Sequence, residues 1–133
     1  MLNPFKVFFP AFVLLSLIYA TAPVAGNVSG SGNEGGTITT TLTATDVDNS
    51  TASDITFSIV STPTNISGSV SIGSVSYSGS TFSATATYTH DGSETTSDSF
   101  TYKANDGVAV SNTATATITI TAVNDAPVAS AVN

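Results

Sequence analysis

Apolar and polar residues alternate one for one along much of this 133-residue chain, the period of a strand with one buried face. From Asp98, the residues Phe100, Tyr102 and Ala104 alternate with Ser99, Thr101 and Lys103. Asn105-Asp106-Gly107 then supplies a turn, because Asn and Asp bond their own backbone and Gly accepts positive φ. From Asn112 the alternation resumes, with Ala114, Ala116, Ile118, Ile120 and Ala122 on one face and Thr113, Thr115, Thr117, Thr119 and Thr121 on the other. β-branched polar residues suit a solvated sheet surface. The two strands are predicted to fold back on each other and to end at Val123-Asn124-Asp125-Ala126-Pro127, where proline cannot donate to a ladder.

Upstream, a short irregular first strand is expected within residues 27–36. Ile38, Thr40, Leu42 and Ala44 define a second strand over Thr37 to Thr45, and Phe57 and Ile59 a third over Ile55 to Ser61. Residues 66–77 are weaker, two short pieces broken by Gly68 and Gly73. Phe82, Ala84, Ala86 and Tyr88 form a clean inward face that His90-Asp91-Gly92 closes. About seven antiparallel strands in some hundred residues predict an all-β, two-sheet sandwich with no helix in its body. Phe57, Ile59, Phe82, Phe100, Tyr102, Ile118 and Ile120 are expected to share one core.

Residues 1–25 read as a signal peptide, with Lys6 followed by the apolar run Val7 to Ala20, which is too short to span a bilayer. A retained hydrophobic helical anchor is the alternative. Ala20-Thr21-Ala22 has the small-x-small pattern of a cleavage site but precedes Pro23, and Val24-Ala25-Gly26 offers a second position. The sandwich is assigned to residues 26–123 and a linker to 124–133. Secretion or display at the cell surface follows, with membrane contact only through an uncleaved N-terminus.

Charge narrows the function. Only 8% of residues are charged, against about 25% in typical soluble proteins, and the net charge is −7 with two cations, Lys6 and Lys103. Phosphate neutralisation needs clustered Lys and Arg, so nucleic acid is not an expected partner. With no cysteine, the fold lacks the disulfides of many small exported domains. Catalysis finds no support: the one histidine has no partner base or nucleophile elbow, and one His without Cys cannot fill a zinc tetrahedron. His90 reads as a structural hydrogen-bonding residue.

The run DSFTYKANDG, the alternating Thr strand and VNDAPV resemble the cadherin-like tandem repeats of bacterial surface adhesins, VCBS-type and related. The upstream YTHDGSE and DSFTY are similar to the chondroitin sulfate proteoglycan repeat. The likeness spans roughly Gly32 to Val128. It implies an Ig/cadherin-like sandwich, calcium as the cofactor, and neighbouring repeats, cell-surface proteins or glycans as partners. Asp46-x-Asp48 is similar to the DxD of cadherin repeats and Asp106 to their later single Asp. Glu34, Asn124 and Asp125 resemble the ligands of the opposite pole. Such sites form across a junction, so one repeat carries half sites, and Ala122 stands where a further acid is expected. Asp54, outside the DxD, is expected to tolerate Asn. Two other readings are a metal-free bacterial Ig-like spacer and a carbohydrate-binding module displaying Tyr77, Tyr88 or Tyr102.

Overall fold

The computed structural model describes residues 20–127 and 129; residues 1–19 of the predicted signal segment lie outside them, and Val24–Ala25 at its end form a strand. Nine strands run in order: β1 (Val24–Ala25), β2 (Val28–Asn33), β3 (Thr37–Thr45), β4 (Thr56–Ser61), β5 (Ser71–Ile72), β6 (Ser76–Ser78), β7 (Thr81–Thr89), β8 (Ser97–Asn105) and β9 (Ala114–Thr121). One sheet has the order β1-β3-β7-β5, with β6 also on β7, and the other β2-β9-β8-β4. The sandwich is as expected. A single 3-10 turn, Ala52–Asp54, interrupts the strands, and no helix among the described residues is long and apolar enough to cross a membrane.

Two strands more than the expected seven arise because irregular stretches divide. Residues 66–77 break into β5 and β6. At the start, β1 pairs antiparallel with β3 (Val24↔Thr45), and the chain then crosses to the other sheet, where β2 runs parallel to β9. The sandwich is therefore not wholly antiparallel, and its first strand begins two residues ahead of position 26. The crossover is held by the Tyr102 hydroxyl, which donates to the Gly26 carbonyl and accepts from the Thr43 N–H at 3.1 Å. Glycine permits the close approach that follows: a Cβ on Gly32 would sit 2.5 Å from Cγ1 of buried Ile38.

The long strands form as their alternation dictates. β3 pairs with β7 from Thr37↔Thr89 to Ala44↔Phe82, and β8 with β9 through Phe100↔Ala116. Ile38, Leu42, Tyr88, Phe100, Tyr102, Ile118 and Ile120 make the main core. Ala44, Ile55, Phe82 and Ala104 form a second cluster, and half-buried Phe57 packs on both. The single expected core is thus two, since Phe82 lies toward the end of the sandwich where β3 finishes. Phe57 and Ile59, on edge strand β4, are only half-buried.

Candidate functional site: two acidic poles

The strand directions sort the loops between the two ends of the sandwich. At the first pole lie the end of β3, the start of β1 and the turn after β8. At the second lie the β2–β3 turn, the β7–β8 loop and the exit from β9.

The first pole holds Asp46, Asp48 and Asp106, but separately. Asp106 accepts from the N–H groups of Ala109 (2.6 Å) and Val108 (2.7 Å), which hold its carboxyl below the usual carboxylate range. This is the turn chemistry of an Asp that bonds its own backbone. Asp48 Oδ2 accepts from the Thr21 N–H at 2.6 Å and the Thr21 hydroxyl at 2.8 Å. Asp46 is 8% exposed; its Oδ1 accepts from the Asp48 N–H at 2.8 Å, while its Oδ2 is buried without a partner. Asp54, expected to be replaceable, ties the loop. It accepts from the N–H groups of Ser50 and Thr51 and from the Thr51 hydroxyl, and that hydroxyl foremost lowers its carboxyl.

The second pole gathers acids. Oxygens of Glu34, Glu94 and Asp125 lie within 4.8 Å of one another, the one such group among the described residues. Glu34 also receives the Val123 N–H at 3.2 Å, and its own N–H donates to the Thr121 carbonyl at 2.9 Å, so the chain's exit is strapped beside it. Asn124 stands between that strap and Asp125, with its side chain exposed. Like charges about 4 Å apart repel by on the order of 1 kcal/mol in water.

His90 sets this geometry. Its ring is buried and Nδ1 accepts from the N–H of Gly35 (3.2 Å) and of Gly92 (3.1 Å), while Nε2 meets the Thr95 hydroxyl at 2.9 Å. One imidazole thus ties the turn bearing Glu34 to the loop bearing Glu94. The structural role expected for His90 is what the ring performs.

Glu94 was the acid missed. It sits in HDGSE, a run quoted above for its likeness to a repeat and not for its charge. The signal was the register: once Thr37 opposes Thr89, the loop after β7 must lie against the turn before β3. Asp98, likewise unforeseen, accepts from the N–H groups of Asn65 (2.7 Å), Ser99 (2.7 Å) and Thr64 (3.2 Å) and from the Tyr88 hydroxyl (3.1 Å). Burial pushes the Asp98 carboxyl up, and these donors outweigh it, leaving it lowered. Burial and then the Asp98 carboxylate push the Tyr88 phenol up.

No flat aromatic platform forms among the described residues. Tyr88 and Tyr102 are buried, and Tyr77 is half-buried with its ring centroid 4.6 Å from that of Phe82. A shallow depression lined by Val24, Gly26, Thr43, Ala44, Thr45 and Thr81 carries neither charge nor aromatic ring.

A family model described as a bacterial Ig domain matches residues 20–121. No curated protein matches the chain. Among solved structures, an endo-fucoidan hydrolase of glycoside hydrolase family 107 is similar, at 20% identity and a TM-score of 0.53. The likeness covers 77% of this chain and 14% of that one. At that identity it speaks for the fold alone. This chain spans about a seventh of the enzyme's length.

Proposed function

The chain belongs to the bacterial Ig-domain family, and from that premise we propose that it is a non-catalytic spacer module of an exported surface protein. Calcium, on this reading, stiffens its C-terminal junction. The observation that carries the reading is the direction of the terminal strands. β2 and β9 run parallel, so the chain enters at one pole and leaves at the other. Modules so built join end to end, and nine-residue strands such as β3 and β7 give each a length of about 30 Å.

The metal belongs at the exit pole. Glu34, Glu94 and Asp125 offer carboxylate oxygens close enough to share one ion, and Asn124 precedes Asp125 in the chain. Calcium takes six to eight oxygens, so the set is a half-site that the entry loops of a following module would complete. The ion would neutralise the mutual repulsion of the three acids. The Asp46, Asp48 and Asp106 pole is less suited, since each carboxylate already accepts from N–H or O–H donors and the three do not meet.

Thermal melting of two copies joined head to tail, with calcium and with chelator, tests the site. Extracellular modules bind calcium with Kd of roughly 10⁻⁴–10⁻³ M. A tenfold excess then stabilises by about 1.4 kcal/mol, which raises Tm by several degrees. Glu94→Gln should remove that increment and leave the chelated protein as stable or slightly more so. An unchanged Tm in calcium would leave a metal-free spacer.

A further inference from the structure

The first pole carries a buried carboxylate oxygen with no partner and a second carboxylate held by the N–H and hydroxyl of a single residue. Asp46 Oδ2 is buried and unpaired. Two residues on, Asp48 Oδ2 takes both the backbone N–H and the hydroxyl of Thr21. A carboxylate is better matched by a cationic donor than by a peptide N–H. Neither Lys nor Arg supplies one here: the His90–Asp91 contact, at the other pole, is the one ion-pair geometry among the described residues.

We propose that the leader is cut between Ala20 and Thr21 and that the new α-ammonium of Thr21 is the cation of this pole, locking the Asp46–Asp48 loop to the mature N-terminus. Hydrolysis of that peptide bond places the hydroxyl of water on the Ala20 carbonyl carbon. The proton goes to the Thr21 nitrogen, which takes a second from solvent and so donates to Asp48 as an ammonium. The nitrogen already lies 2.6 Å from its acceptor.

The fold discriminates among the cleavage positions. A cut after Gly26 removes β1. It also discards Ala25, whose N–H and carbonyl are both held at 3.0 Å by the Asn112 amide, and with it the buried ring of Pro23. A cut after Ala22 removes Thr21 and makes Pro23 the first residue, a poor substrate for the peptidase. A cut after Ala20 ends the apolar run at a small residue and keeps every one of these contacts.

The inference rests on the export reading, and the test separates the two. The full chain is produced in a secreting bacterial host as wild type, as Asp48→Asn, with one serine inserted between Ala20 and Thr21, and with both changes. Intact mass and Tm are read on the exported pool. The expected mature protein begins at Thr21. The insertion, which carries the amine one residue away, and Asp48→Asn should each lower Tm by about 4 °C. The double variant should melt no lower than Asp48→Asn alone, because both remove the same contact. A chain retained in the cytoplasm overturns the export reading. An exported chain that begins elsewhere, or an insertion that leaves Tm unchanged, overturns the ammonium lock alone.

Discussion

Phe100 is fully buried where β8 crosses the core, and the alanine directly opposite it, Ala116, is too small to refill its place. Phe100→Ala should cost about 3–5 kcal/mol in a denaturant titration. A loss under about 1 kcal/mol would mean that its face is not the inner one. Asp98 ties the loop after β4 to β8, and its effect should appear in the pH profile. Its carboxyl is lowered, so its stabilising contribution is complete above the unfolded value of about 3.9 and is lost as pH falls through the lower folded value. Tyr88 is raised, so its contribution holds below about pH 10 and is lost at higher pH. Asp98→Asn removes an ionised acceptor from five donors at a cost of about 1.5–3 kcal/mol near neutrality. It should flatten the acid limb of a plot of Tm against pH. An acid limb as steep as the wild type's would assign that limb to other carboxylates.

At the scale of elements, what was legible followed from side-chain period, and what was not followed from register. β3, β7, β8 and β9 were readable because each runs eight or nine residues with apolar groups on one side. β1 escaped because two residues have no period, and its place is fixed by Asn112, 87 positions away, whose amide pairs with both polar groups of Ala25. The parallel run of β2 against β9 was hidden because VSGSGN offers one apolar side chain and so no alternation to read. The carboxylates divided likewise: Asp46, Asp48 and Asp106 were conspicuous as motif residues, yet only the β3–β7 register brings Glu94 to Glu34. Asn112→Ala should free β1 and lower stability by about 1–3 kcal/mol. Hydrogen exchange should show the loss first at Thr43 and Thr45, whose backbone groups face β1, while β8 and β9 stay protected. Gly32→Ala should also destabilise, because Ile38 is buried and has no room to yield to the added methyl.

For the whole molecule, the proposed function makes the sandwich a strut, with entry and exit at opposite poles and a calcium half-site at the exit. Its hydroxyl-lined faces fit that role. Cross-strand threonine pairs such as Thr39↔Thr87 and Thr41↔Thr85 cover the outside of β3 and β7, which carry no charged residue. The most direct measurement is small-angle scattering on one, two and three copies of residues 20–127 joined head to tail, in calcium and in chelator. In calcium, the maximum dimension should grow with each copy by at least the roughly 30 Å strand length. Chelator, or Glu94→Gln in every copy, should shorten and broaden the distance distribution as the junctions loosen. A dimension that fails to grow linearly, or that is identical with calcium and chelator, would contradict the calcium-stiffened strut.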